Sequence, residues 1–121
     1  MNESVAILGA SPDSCRYSHM ALQALLAAGH QPIPVNPKYD EIDSLHCFPD
    51  LNSCPKPVDT LTVYLSPANL YPLSQQIIDL NPRRVIFNPG SEILDIEREL
   101  QRAGIEVLRA CTLVMLSTNN F

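Results

Sequence analysis

The sequence predicts an α/β fold: a doubly wound, mainly parallel sheet of about five strands, enclosed by helices in three αβα layers. Two observations carry this reading. Short apolar runs of strand type alternate along the chain with segments whose apolar residues recur at three-and-four spacing, and such alternation builds a parallel sheet. The runs Val5-Ala-Ile-Leu-Gly-Ala-Ser11 and Pro32-Ile-Pro-Val-Asn-Pro-Lys38 lie about 25 residues apart with a helical pattern between them, as in a strand–helix–strand unit. In such sheets ligands sit beyond the carboxyl ends of the strands, where loop amides and a helix N-terminus can face a phosphate. Both run exits are therefore expected to face one crevice.

Residues 4 to 9 are the first expected strand, and Gly9-Ala-Ser-Pro-Asp-Ser14 is its exit loop, rich in residues that tolerate tight turns or cap helices. In the helix that follows, Tyr17, Met20, Ala21, Ala24, Leu25 and Ala28 fall on one apolar face, and Gly29 supplies a C-terminal stop. The second strand covers 31 to 35. Pro32 and Pro34 each remove a ladder donor, so this strand is expected to be short or near a sheet edge. From Lys38 to Pro57 prolines make the chain irregular, with one helical turn expected at Phe48-Pro-Asp-Leu51. Val58 to Leu65 alternates with β-branched residues and reads as a third strand. Ser66-Pro-Ala-Asn69 opens a helix to about Leu80. Arg84-Val-Ile-Phe87 is the fourth strand and ends in Asn88-Pro-Gly90. A helix from Pro89 or Ser91 runs through Arg102, is closed by Ala103-Gly104, and leads into a fifth strand at Glu106-Val-Leu108.

A chain of 121 residues fits one domain, 1–121, large enough for a single ordinary core. Its net charge of −5 and pI near 4.9, with no basic block, argue against nucleic acid as a partner. The first residues, Met1-Asn-Glu-Ser4, run into a strand without an export-type apolar stretch, and no run approaches about 18 apolar residues. A cytoplasmic protein with no membrane partner is expected. Cys15, Cys47, Cys54 and Cys111 show no Cys-x-x-Cys spacing, and His19, His30 and His46 show no i,i+4 pairing. Free thiols and no metal site follow.

The exit loop of the first strand has one glycine, Gly9, and lacks the other two of a dinucleotide fingerprint. The acidic residue expected after the second strand of an NAD site is also missing: Asn36, Pro37 and the cation Lys38 stand there. A cation there suits a phosphate. Arg16, at the start of the first helix, adds a second positive group near the loop amides. Cys15 beside it is a candidate thiolate at a helix N-terminus, but a buried or inert thiol is the commoner outcome and no catalysis is assigned to it. Asp13 and Asp40 read as capping or solvated carboxylates. Asn88-Pro-Gly90 is either a plain connecting loop or a ligand-facing one. No nucleophile stands at a recognisable spacing from a base, so binding is better supported than chemistry.

The ordered set Val5-Ala-Ile-Leu-Gly-Ala-Ser11 with Arg16, Val35-Asn-Pro-Lys38, Pro57-Val-Asp59 leading into Tyr64-Leu-Ser-Pro67, and Ala103-Gly-Ile-Glu-Val107 before a cysteine spans essentially the whole chain. With that set the chain resembles the small CoA-binding proteins related to the N-terminal domain of succinyl-CoA synthetase α subunits and ADP-forming acyl-CoA synthetases. The resemblance implies a Rossmann-like fold with coenzyme A or an acyl-CoA in place of a dinucleotide. By the same likeness Gly9, Ala10 and Ser11 with Arg16 face the phosphates, and Lys38 assists. Asn36 and Pro37 then line the adenosine side, Tyr64, Ser66 and Pro67 form a wall of the crevice, and Asn88, Pro89 and Gly90 meet the pantetheine. The synthetases' second domain, with its phosphorylated histidine, is not matched, so ligase activity is not expected. The first reading is CoA binding without catalysis. An NAD(P)-binding oxidoreductase-like protein is the alternative, and a fold that has lost its ligand and serves as an interaction partner is a third.

Overall fold

A computed structural model describes residues 2–121 of the chain. Strand β1 (Ser4–Leu8) leads through the Gly9 loop into helix α1 (Tyr17–Ala27) and strand β2 (Gln31–Val35). Next come a small hairpin, β3 (Glu41–Ile42) and β4 (Leu45–His46), and a 3-10 turn at Leu51–Ser53. Strand β5 (Thr60–Val63) is followed by α2 (Pro67–Leu70), a 3-10 turn at Tyr71–Leu73 and α3 (Ser74–Leu80). The chain then forms β6 (Arg84–Phe87), α4 (Leu94–Arg102), β7 (Glu106–Arg109) and α5 (Thr112–Ser117). Five parallel strands make one sheet in the order β2-β1-β5-β6-β7. The chain moves outward from β1 to β2 and then returns to the other side of β1, so strand order reverses between β1 and β5. Crevices for ligands open at such reversals.

Side-chain alternation along each strand splits the core into two layers. Ala6 and Leu8 face the layer that holds Leu61, Phe87, Ile77 and Leu100, and Val5 and Ile7 face Leu22 and Leu25 of α1. Each fully buried aliphatic or aromatic side chain contributes roughly 1.5–3 kcal/mol relative to exposure. This is the expected Rossmann-like α/β architecture. β2 is an edge strand, in keeping with Pro32 and Pro34. Its open edge is partly covered by Phe48, whose amide donates to the Pro34 carbonyl at 3.0 Å and whose carbonyl accepts the Asn36 amide at 2.9 Å.

Several expectations need correction. The segment 38–57 is not irregular throughout: the β3–β4 hairpin turns through Asp43 and Ser44, both at positive φ, and sends Ile42 into the α1 layer. The turn expected at 48–51 lies at 51–53, where Asp50 caps it by accepting from the Ser53 amide. The helix expected from Ser66 to Leu80 is interrupted by the 3-10 turn that contains Pro72. The buried face of α1 is rotated from the expected one, because Tyr17 and Met20 are exposed while Ser18, His19 and Leu22 are buried. His19 is accommodated there by Asp43, with Nε2 and Oδ2 2.7 Å apart, which ties α1 to the hairpin. Helix α5 was not anticipated. Among the described residues no helix is long and apolar enough to cross a membrane.

Gly9 and Gly90 both lie at positive φ, but their surroundings differ. A Cβ on Gly9 meets the Tyr64 carbonyl oxygen at 2.8 Å and Leu65 Cδ2 at 2.9 Å, whereas a Cβ on Gly90 meets nothing within 4 Å. Gly90→Ala is therefore expected to lose about 1–2 kcal/mol, the left-handed backbone cost alone. Gly9→Ala adds a clash with backbone and is expected to lose clearly more, about 3 kcal/mol or above. Urea unfolding of the two variants checks the order.

Candidate functional site

The carboxyl ends of β1, β2, β5 and β6 surround a cleft of about 600 Å³. Strand register and exit loops determine what faces it. Gly9, Ala10 and Ser11 enter from the β1 exit, Arg16 from the N-cap of α1, and Asn36 and Lys38 from the β2 exit. Tyr64 and Ser66 follow β5, and Asn88, Pro89 and Gly90 follow β6. Pro37 lines an adjoining lobe instead, and Pro67, the first residue of α2, lines neither space. Asp13, Tyr17, Ser18, Tyr39, Asn69 and Ser91 also face the cleft and were not singled out as site residues from the sequence. Tyr17 and Ser18 follow directly from the N-terminus of α1, a signal the sequence did contain. Tyr39 and Asn69 depend on how their loops fold back.

The hydrogen bonds separate groups that are free to meet a ligand from groups already used. The Gly9 and Ala10 amides both donate to the Val35 carbonyl, at 3.1 and 3.2 Å, so they lock β1 to β2 and are not available to an anion. The amides of Ser11, Ser14, Tyr17 and Ser18 have no acceptor among the described residues. Of these residues, Ser11, Tyr17 and Ser18 line the cleft, and the last two lie at the positive dipole end of α1. Asp13 shapes the loop by accepting from the Cys15 amide at 2.9 Å, and its other oxygen stands 3.9 Å from Arg16 Nε. That pair is exposed and loose, which leaves the guanidinium able to turn toward a ligand. Asn36 joins the two exits: Nδ2 donates to the Ala10 carbonyl at 2.8 Å and Oδ1 accepts the Lys38 amide at 2.9 Å.

Asn88 differs from the other cleft residues because its carboxamide is buried and saturated. Nδ2 donates to Thr62 Oγ1 at 2.7 Å and to the Val63 carbonyl at 3.0 Å, and Oδ1 accepts the Thr112 amide at 2.9 Å. Its own carbonyl accepts from Ser91 Oγ at 2.7 Å. The side chain thus braces the β6 exit against β5 and the start of α5, leaving the neighbouring Pro89 and Gly90 exposed. Tyr64 lies beside this network. Its hydroxyl is buried without a hydrogen-bond partner among the described residues, and burial pushes the phenol up to about 12, against the pull of the nearby Thr62 and Thr112 hydroxyls. The phenol stays neutral at ordinary pH.

The second lobe, about 530 Å³, opens from the first past Gly9, Asn36, Lys38, Leu65 and Asn69. Pro37, Pro49, Leu51, Leu65 and Leu73 give it apolar walls, and Asp50, Asn69 and Gln76 are polar groups on its boundary. Neither lobe is lined by histidine or cysteine. All four cysteines are free thiols, with Cys15 exposed and Cys47 and Cys54 buried; burial raises both buried thiols, Cys54 to about 11. Among the described residues no group of three His, Cys, Asp or Glu side chains could hold a metal ion.

Known proteins resemble the chain along nearly its full length. The family model described as the CoA binding domain matches residues 3–117. An ADP-forming acetate–CoA ligase of Archaeoglobus fulgidus is 30% identical over 125 residues, covering 94% of this chain and 18% of its own length. The chain spans less than two thirds of the length of the curated relatives it matches. Among solved structures, one described as an uncharacterized protein has a TM-score of 0.89 at 38% identity and covers 100% of this chain, with 99% of its own chain matched. A cell-free protein, ID.343, from Thermus thermophilus has a TM-score of 0.89 at 29% identity, covering 98% of this chain and 90% of its own.

The Asn88 brace makes a stability prediction. Removing the carboxamide takes that partner from the Thr112 amide and the Val63 carbonyl, while Thr62 Oγ1 keeps the Thr112 hydroxyl at 2.8 Å, and each buried group so orphaned costs about 1–3 kcal/mol. Asn88→Ala is expected to lower unfolding stability by about 2 kcal/mol or more. Asn88→Asp is expected to be costly as well, since a carboxylate cannot donate to the Val63 carbonyl. Thermal and urea melts check both; wild-type stability in either variant would show that the side chain is not structural.

Proposed function

The chain belongs to the CoA binding domain family, and we propose that it binds coenzyme A or an acyl-CoA across the two lobes of the cleft, without catalysis of its own. One observation carries the reading: a polar lobe with two cations and unbonded loop amides adjoins an apolar lobe at the strand-order reversal. Coenzyme A has the matching sequence of parts, an anionic diphosphate between an adenosine and a pantetheine arm. In this reading the Ser11 amide, the first amides of α1, Arg16 and Lys38 hold the phosphates. The adenosine lies in the lobe beyond Asn36 and Pro37. The pantetheine runs past Tyr64 and Ser66 toward Pro89 and Gly90.

The absence of a histidine or cysteine from the lining, and the engagement of Asp13 with the loop, support binding without a nucleophile–base pair. A nicotinamide dinucleotide fits less well. Lys38 stands at the β2 exit, where a ribose-binding acid is wanted.

Calorimetry is expected to show CoA bound at least about tenfold more tightly than NAD or NADP. Equal or tighter binding of NAD would overturn the reading. Arg16→Ala and Lys38→Ala are each expected to weaken CoA binding by about 1–3 kcal/mol, the range for hydrogen bonds to charged groups, with melting temperatures unchanged because both side chains are exposed. Added salt is expected to weaken the wild type in parallel. Unaltered affinity in both variants would assign the phosphates to the loop amides alone.

A further inference from the structure

The second lobe carries a donor and acceptor pattern that its apolar walls do not require. Asp50 caps the 3-10 turn with one oxygen only: Oδ1 accepts from the Ser53 amide at 2.9 Å and from Ser53 Oγ at 2.6 Å. Oδ2 takes part in neither bond. Those contacts, the Ser53 hydroxyl first, hold the carboxyl below its usual pKa, so it remains an acceptor over the ordinary pH range. Gln76, on α3, is fixed next to it, because its Oε1 accepts the amide of the following residue, Leu51, at 3.3 Å. That bond turns Nε2, a donor, to the unused side of the carboxamide. The boundary of the lobe thus carries a carboxylate acceptor at Asp50 and, bound through its oxygen to the amide of the next residue, the carboxamide of Gln76, among proline and leucine walls.

The proposed CoA reading seats a purine in this lobe. Adenine offers a 6-amino donor beside the N1 acceptor, the complement of an acceptor next to a donor. A 6-oxopurine offers the reverse, an oxygen acceptor beside an N1–H donor. We propose that Asp50 Oδ2, with Gln76 Nε2 beside it, reads the 6-amino and N1 edge of the base and selects adenine over 6-oxopurines. This rests on the CoA reading. It adds that the specificity for the base comes from the segment after the hairpin and from α3, not from either strand exit that holds the phosphates.

Three ligands and two variants test it by competition calorimetry: CoA, adenosine 3′,5′-bisphosphate and its 6-oxo counterpart, inosine 3′,5′-bisphosphate. Wild type is expected to bind the 6-amino compound about tenfold more tightly than the 6-oxo compound, as one hydrogen bond to a charged acceptor gives. Asp50→Asn keeps an oxygen for Ser53 and supplies a donor to a 6-oxo group, so the preference is expected to shrink to about twofold or reverse. Asp50→Ser keeps an N-cap residue at the turn and removes the carboxylate, and is expected to lose the preference without loss of folding. CoA binding with no discrimination between the two bisphosphates, or a full preference surviving in both variants, overturns the inference alone. Failure of CoA itself to bind overturns the functional reading beneath it.

Discussion

The Val35 carbonyl at the end of β2 receives the amides of both Gly9 and Ala10, and this shared acceptor fixes the geometry on which the cleft depends. It draws the exit of β1 across the end of β2, and on the other side Gly9 presses against the Tyr64 carbonyl at the end of β5. Three parallel strands therefore converge at one residue without a Cβ. The loop that leaves this point has its first two amides consumed, so its capacity to meet an anion passes to Ser11 and to the start of α1. A second knot, Asn36 bonded to Ala10 and Lys38, then holds the two exits at a fixed separation. Cleft shape is thus a by-product of how the sheet closes its own backbone hydrogen bonds.

The opposite end of the sheet carries a dense charged cluster. Thr60 Oγ1 donates to Glu3 Oε1 at 2.6 Å and accepts from Arg84 Nε at 2.8 Å, and both Arg83 and Arg84 approach Glu3 Oε2. The Phe121 ring covers the Arg84 guanidinium at 4.5 Å. A pair this shielded gains little over apolar packing, but losing one partner leaves the other stranded, so the cluster fixes the alignment of β1, β5 and β6 more than it adds stability. Unbonded loop amides gather at the carboxyl ends of the strands, and the ion-pair network at the other.

How much of this was legible in the sequence depended on whether the information was local. β1, β2, β6 and the glycine after β1 were readable because apolar runs and turn residues adjoin each other in the chain. Gly9, Arg16, Asn36 and Lys38 stand at strand exits, where topology alone brings them together. The β3–β4 hairpin was not readable: two residues per strand give no alternation, and its Asp43-Ser44 turn lacks the glycine that usually marks positive φ. The face of α1 was misjudged because His19 is buried by a partner 24 residues away, and because Tyr17 belongs to the cleft. Asp50 and Gln76 were missed for a related reason. Their positions rest on Phe48 bonding to Pro34 and Asn36, and on the Leu51 amide bonding to Gln76, contacts that no pattern along the chain announces.

The saturated carboxamide of Asn88 has a consequence for motion. It bonds β5 and the first amide of α5 together, so the floor of the cleft and the C-terminal helix cannot open independently. In hydrogen-exchange terms the two are expected to behave as one cooperative unit, although α5 is short and lies near the end of the described chain. Fraying of the first turn of α5 is coupled to the loop of Pro89 and Gly90 through Asn88 and the Thr62–Thr112 hydroxyl pair. Conversely, whatever immobilises that loop also slows exchange in α5, a helix that contributes no side chain to the cleft lining.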